Sequence, residues 1–313
     1  MSFKISRRAA LTGAAALPLA APLIATATSA QAENAAGPAP QLTRSFKLGG
    51  FTVTTLLDAS AMREGPKDLF AADASAEEFQ NLSEENFIPS DSVQFYFTPT
   101  LVDTGTEKVL FDTGLGQGGI HKALEQAGTS PDQIDAVVIT HMHPDHIGGL
   151  MKDGAAAFPN ARYVTGSAEY NFWSKMEAGN RVGDLVAKNV TPLAEKMSFM
   201  DDGGSVASGI TAMAAIGHTP GHMVYMLESD GQQIVLTADL ANHYVWSFAR
   251  PDWGFSFDGD KAAAASSRRN VLGMLAADKV PMIGYHMPFP AAGFVETRDE
   301  GFRYVPVSYQ MMG

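Results

Sequence analysis

The chain has 313 residues, 45% of them hydrophobic, and a formal net charge of −12. That length allows one large domain or two, and that acidity gives nucleic acid or anionic lipid no electrostatic reason to bind. With no cysteine there is no disulfide, no thiolate nucleophile and no zinc–sulfur site, so a metal would have to be held by histidine and carboxylate.

The first 32 residues read as a cleaved export signal: Lys4, Arg7 and Arg8, then an Ala/Leu-rich run through Thr28, then Ala30-Gln31-Ala32. The Arg7-Arg8 pair points to the twin-arginine route and a periplasmic or secreted protein; a retained N-terminal anchor is the alternative. Losing those three cations takes the net charge from −12 to about −15. No later apolar run is long enough to cross a bilayer. Residues 33–44 read as a flexible arm and residues 45–313 as one domain.

Phe46 to Leu57 alternates like a strand pair, with Gly49-Gly50 as the turn. Glu64 to Ser90 is polar and reads as a surface loop with a helical patch over Ala76–Leu82. Strands are expected at Ser92–Thr98, Thr100–Asp103, Lys108–Asp112, Ala136–Ile139 and Ala161–Thr165, and helices at Ile120–Ala127 and Ser167–Lys175. The second half repeats the plan, with strands at Ile210–Ile216, Met223–Glu228, Gln233–Thr237 and Val280–Tyr285 and a helix over Asp260–Ala277. Strands followed by helix in each half predict two similar halves whose loops converge on a shared edge.

One loop concentrates the chemistry. The buried-strand pattern Ala136–Ile139 runs into His141-Met142-His143-Pro144-Asp145-His146 and then Gly148-Gly149, placing four metal-binding side chains at one pole of a sheet. Neutral imidazole and carboxylate suit zinc and its first-row neighbours. A His-rich surface tract is the competing reading. Further candidates are His222, which ends the tight turn Gly217-His218-Thr219-Pro220-Gly221-His222, and Asp239, at the end of the apolar run Ile234–Ala238. His286 follows Met282–Tyr285. A buried acid such as Asp239 needs a cationic partner, unless it serves as a helix N-cap.

HxHxDH, then His, Asp and His, resembles the pattern of the metallo-β-lactamase superfamily. Phe111-Asp112-Thr113-Gly114, the GHTPGH turn, Phe158-Pro159-Asn160-Ala161 and Gly301-Phe302-Arg303-Tyr304-Val305-Pro306-Val307 resemble its methyl parathion hydrolase branch, which is exported and has lactonases and arylesterases among its relatives. The resemblance implies a four-layer αββα sandwich. It implies one cation held by His141, His143 and His222, a second held by Asp145, His146 and His286, and Asp239 bridging both. Asp112 would bond a ligand imidazole from behind, with Asp58 and His218 as further supporting residues.

The cofactor expected is a pair of divalent ions, zinc above all, with cobalt, manganese or iron(II) accepted by the same ligands. Such a pair holds a reactive hydroxide, which Asp145 and Asp239 would orient. The implied activity is hydrolysis of lactones or carboxylic esters, with organophosphate triesters as promiscuous or main substrates; a non-catalytic metal-binding protein is the reading of another class. Phe172 and Trp173 are expected to wall the pocket, with Phe255, Phe257, Trp253, Phe289 and Phe294 able to add to it. Position 242 separates substrate classes: lactonases carry tyrosine three residues after the bridging aspartate and the organophosphate branch an aliphatic residue. Here it is Asn242, with Tyr244 nearby. The expected partners are a small neutral or apolar substrate and a second subunit, with no nucleic acid and no membrane span once the signal is removed.

Overall fold

The structure is a computed structural model that describes residues 40–309. The expected export signal and most of the expected arm lie outside those residues.

In chain order, β1 (Thr43–Leu48) and β2 (Phe51–Leu56) precede β3 (Ala59–Glu64), α1 (Pro66–Phe70), α2 (Ala76–Glu85) and β4 (Ser92–Phe97). Next come β5 (Thr100–Asp103), β6 (Lys108–Phe111), α3 (Gly119–Gln126), β7 (Ala136–Ile139) and α4 (Pro144–Ile147). The short β8 (Met151–Lys152) and β9 (Ala155–Ala156) lead to β10 (Arg162–Gly166), α5 (Ser167–Trp173), α6 (Arg181–Asn189) and β11 (Met197–Met200). The second half holds β12 (Ser205–Ala207), β13 (Ile210–Ala214), β14 (Met223–Ser229), β15 (Gln232–Ala238), α7 (Trp246–Ala249), α8 (Lys261–Asp278), β16 (Met282–Gly284), β17 (Ala292–Arg298) and β18 (Gly301–Pro306).

Each half contributes one seven-stranded sheet, in the orders β1-β2-β5-β6-β7-β10-β11 and β12-β13-β14-β15-β16-β17-β18. Side-chain alternation explains why the first sheet is covered on both faces. Val109 of β6 and Ala136 and Val138 of β7 pack into the core shared with the second sheet. Their neighbours Leu110, Val137 and Ile139 pack outward against Ile120 and Leu124 of α3 and Val186 of α6. On the other side α8 adds Val271, Leu272 and Leu275 to the shared core. The result is the mixed αββα architecture.

Three segments before β5 depart from the sequence expectation. Thr43 and Arg44, assigned to the arm, begin β1, because the Leu57 amide bonds the Leu42 carbonyl at 2.7 Å and Gln126 accepts the Leu42 amide at 2.6 Å. β3 was missed, since Ala59-Ser60-Ala61-Met62-Arg63-Glu64 has no apolar alternation and owes its strand form to pairing with β4. Residues 64–90 are more than a surface loop: Phe70, Phe79 and Leu82 form a third apolar cluster with Trp246 and Phe255.

His243 belongs to that cluster, stacked on Trp246 at 3.9 Å between ring centroids, and its Nδ1 accepts the Val245 and Trp246 amides. Burial lowers its pKa from 6.5 to about 3. A depressed folded pKa means that, below pH 6.5, the unfolded chain takes up a proton the fold does not, so stability falls as pH falls. His243→Phe is expected to flatten the stability–pH curve by about 1.4 kcal/mol per pH unit below pH 6. Denaturant unfolding at pH 7, 6 and 5, at fixed metal content, measures that slope; an unchanged slope would show that His243 is not the residue responsible.

Candidate metal centre

The site forms where strand ends meet. Asp58 follows β2, Asp112 follows β6, His141 to His146 follow β7, Asp239 follows β15 and His286 follows β16. β14 runs antiparallel to β15, so His222, just before β14, arrives at the same pole. The two sheets are tied together there by the Met223 amide on the Thr140 carbonyl at 3.2 Å. Two strained residues lie at this edge: Asp112 and Ala238 adopt φ of +62° and +45°, a conformation L residues adopt at a cost of about 1 kcal/mol or more.

Two groups of ligating atoms result: His141, His143, His218 and Asp239, and Asp145, His146 and His286. Asp239 joins them. Its Oδ2 lies 3.1 Å from His286 Nε2, 3.3 Å from His218 Nε2 and 3.8 Å from His141 Nε2, while Oδ1 lies 3.1 Å from His146 Nε2. Asp145 Oδ2 is 3.4 Å from His286 Nε2 and 3.6 Å from His146 Nε2.

Proton accounting shows what this cluster is built to hold. His146 Nδ1 donates to Asp112 Oδ2 at 2.8 Å, His218 Nδ1 to Asp258 Oδ1 at 2.9 Å, and His286 Nδ1 to the Tyr96 carbonyl at 2.8 Å. A neutral imidazole has one N–H, so each of the three, when neutral, turns an Nε2 lone pair toward the Asp239 carboxylate, and His218 Nε2 also meets His143 Nδ1 at 2.9 Å. Lone pairs facing a buried carboxylate need a positive species between them. His141 Nε2, His146 Nε2 and Asp239 Oδ1 are also buried without any hydrogen-bond partner, so these donors fit a divalent cation pair. In its absence protons are drawn in. Against the opposing effect of burial, the Asp239 and Asp112 carboxylates hold His146 well above its usual range, and Asp239 raises His286. His218, also opposed by burial, is raised to about 9 by Asp239 and Asp258. Burial, reinforced by the neighbouring His146, holds His141 well below its usual range. Burial disfavours the Asp239 carboxylate, but His286, His146 and His141 outweigh it and keep Asp239 ionised.

The arrangement differs from the expected ligand set at one residue. His222 is buried beside His141, with 5.1 Å between ring centroids, but its Nδ1 donates to the Ala215 carbonyl at 3.0 Å and its Nε2 accepts the Asp239 amide at 3.1 Å. His218, from the same turn, stands in the group instead, because the buried Asp258–Arg268 ion pair orients it. Asp112 does more than support one imidazole: it also accepts the Thr140 amide and hydroxyl, and Thr140 Oγ1 in turn meets His141 Nδ1 at 3.2 Å. Asp58 touches none of the ligands; it accepts the Leu115 and Ile120 amides and shapes the following loop.

Two supporting residues escaped the sequence reading. Glu169 of α5 is buried and accepts four hydrogen bonds: from the Met142 amide, Trp173 Nε1, Thr219 Oγ1 and the Gly221 amide. It ties the HxH loop to the GHTPGH turn, and the contact is so close that a Cβ on Gly221 would lie 2.1 Å from the Glu169 nitrogen. Tyr285 packs its ring on His146, tilted by 32° with 3.9 Å between centroids, and its hydroxyl donates to the Asp145 carbonyl.

A cavity of about 300 Å³ opens above Asp145, Asp239 and His286, lined by Phe95, Phe97, Phe255 and Phe257. A second cavity of about 480 Å³ lies beside it, sharing His143, His218 and Phe257; Phe172 and Trp173 line this one. Of the other expected pocket residues, Asn242 is buried and donates to Asp239 Oδ2 at 2.9 Å. Tyr244 packs into the core against His243. Neither lines either of these cavities, because the turn after β15 directs one to Asp239 and the other against the core. Trp253 packs against Phe79, and Phe289 and Phe294 line neither cavity.

The chain belongs to the metallo-beta-lactamase superfamily, whose family model matches residues 98–285. It is 25% identical over 186 residues to an N-acyl homoserine lactonase of a Bacillus species, covering 54% of this chain and 70% of that one. It is 28% identical over 149 residues to a ribonuclease of Thermus thermophilus, covering 45% of this chain but only 34% of the ribonuclease. Among solved structures, AidC, a dizinc quorum-quenching lactonase in complex with a product, N-hexanoyl-L-homoserine, superposes with a TM-score of 0.80 at 28% identity, covering 87% of this chain and all of that one. The hydrolase AbOPH of the same superfamily shares the fold, with a TM-score of 0.78 at 24% identity, over 87% of this chain and 99% of the other.

Proposed function

We propose that the chain is an exported hydrolase that uses two divalent cations to open lactones and cleave carboxylic or aryl esters, acyl-homoserine lactones among them, with organophosphate triesters as secondary substrates. The observation that carries this reading is the set of imidazole Nε2 atoms gathered around one buried carboxylate on the floor of an aromatic cavity. When bound, the cations supply an acidified water and a Lewis acid for the carbonyl oxygen. The lactonase relatives and the apolar cavity support an ester or lactone with an apolar body next to the scissile bond as substrate. Export rests on the basic, apolar and small-residue pattern of the first 32 residues.

The chain's own residues have distinct tasks. His141, His143 and Asp239 would hold one cation with an imidazole of the Gly217–His222 turn: His218 in the present arrangement, His222 by family resemblance. Asp145, His146 and His286, again with Asp239, would hold the other. Asp145 is 19% exposed and opens onto the cavity, placed to keep the proton released when water attacks the carbonyl carbon and to return it to the departing oxygen. Phe95, Phe97 and Phe255 exclude water around the ester. A storage protein would close its ligands off, whereas His143, Asp145, Asp239 and His286 all line an open cavity.

A panel of an N-acyl-homoserine lactone, a chromogenic aryl ester and a paraoxon-type triester, ranked by kcat/KM on metal-loaded protein, tests this directly. The lactone or aryl ester is expected to lead the triester by about tenfold or more. A leading triester would reassign the main activity, and a metal-loaded protein inert toward all three would leave only the binding role.

A further inference from the structure

The rim of the catalytic cavity differs in charge from its walls. β3 and β4 form a separate two-stranded sheet in which Ala61 pairs with Phe95 and Arg63 with Val93. Alternation puts Ala61 and Arg63 on one face with Phe95 and Phe97, and all four line the cavity. The deep end of this face is at His286, which Phe95 and Phe97 meet at 5.6 and 5.5 Å. Arg63 therefore stands toward the mouth, roughly 7 Å beyond Ala61 along the strand. From another element, the first residue of α6, Arg181, lines the same cavity beside Val182.

Both arginines are exposed, and neither has an ion pair or hydrogen bond among the described residues. Of the other described arginines, Arg162, Arg250, Arg268, Arg269, Arg298 and Arg303 are each paired with a carboxylate, and Arg44, outside the cavity lining, is not. In a protein of net charge −12, acidic partners are plentiful, yet two arginines without a carboxylate partner among the described residues line one apolar cavity. The cavity's carboxylates, Asp145 and Asp239, are engaged with imidazoles on its floor.

We infer that Arg63 and Arg181 form an anion-receiving rim, and that the preferred substrates are esters or lactones carrying a carboxylate distal to the scissile carbonyl. This deepens the hydrolase reading above and rests on it. The ester body lies against Phe95 and Phe97 while the distal carboxylate meets the two guanidinium groups, which bind planar anions through paired N–H donors. Because the rim is exposed, the gain is modest and sensitive to salt.

The test compares the 4-nitrophenyl monoester of suberic acid, which ends in a carboxylate, with the matching primary amide on metal-loaded protein. At low ionic strength kcat/KM is expected to favour the carboxylate by roughly three- to tenfold, and this preference should shrink at 0.5 M salt, where the Debye length is only about 4 Å. In the Arg63→Met/Arg181→Met double variant the ratio should fall to about one, and in the Arg63→Lys/Arg181→Lys variant a preference should persist. A wild-type ratio at or below one, with the amide hydrolysed, overturns the rim and leaves the hydrolase intact. Hydrolysis of neither compound nor of any panel substrate removes the hydrolase reading and the rim with it.

Discussion

Asp239→Asn is expected to lower kcat/KM toward every hydrolysed substrate by about 10³-fold or more, and to reduce the divalent cations bound per chain. Asp239 reaches His286, His218 and Asn242 through Oδ2 and His146 through Oδ1, so no other side chain contacts both groups in the same way. An asparagine keeps the shape but replaces one anionic oxygen by an N–H₂ donor and cancels the charge that balances the cations. Losing a single preorganised electrostatic contact at a reacting centre costs about 10²–10³-fold, and here charge and coordination are lost together. Metal content by mass spectrometry of the native protein, measured beside kcat/KM, checks both halves. A variant with full metal content and near-normal turnover would show that Asp239 does not bridge.

Glu169→Gln is expected to be the most damaging conservative change outside the ligands, destabilising the fold by about 3–5 kcal/mol and weakening metal binding. Four donors converge on its carboxylate. A glutamine offers one acceptor oxygen and turns an N–H₂ group toward donors, leaving buried groups unsatisfied at about 1–3 kcal/mol each. Two of those donors, the Met142 and Gly221 amides, sit next to His141, His143 and His222, so the strain passes directly to the ligands. Denaturant unfolding of the metal-free variant isolates the stability term, and zinc titration the second. Loss of less than about 1 kcal/mol would mean that the turn and the loop hold their positions without Glu169.

Much of the site was legible because strand ends write themselves into sequence as an apolar run broken by a polar residue. Ala136–Ile139 followed by His141, and Ile234–Ala238 followed by Asp239, place their polar residues at one sheet edge whatever the rest of the chain does. What was not legible depended on partners distant in sequence. Choosing between His218 and His222 requires knowing that Asp258 meets His218 Nδ1 across 40 residues. Glu169 reads as an ordinary acid in the first turn of a helix until the fold buries it against a loop and a turn through contacts with residues 27 and 50 positions away.

The same limit applies to the fold. β3 exists because β4 pairs with it, and the polar 64–90 segment hides Phe70 and Phe79 against Trp246 from the far half of the chain. Strands β17 and β18 open on Ala292-Gly293 and on Gly301, small residues that mute the alternation that follows. Asn242 and Tyr244 line neither cavity for a related reason: the turn after β15 sends one to Asp239 and packs the other against the core.

The most direct test of a cation pair joined through Asp239 is the number of divalent ions bound per chain, followed through chelation and reloading alongside hydrolysis of one lactone. About two ions per chain are expected, lost together with activity on chelation and recovered together on adding zinc, cobalt or manganese. Lactone hydrolysis at full rate by protein stripped of divalent metal, or protein that takes up none on reloading, would contradict it.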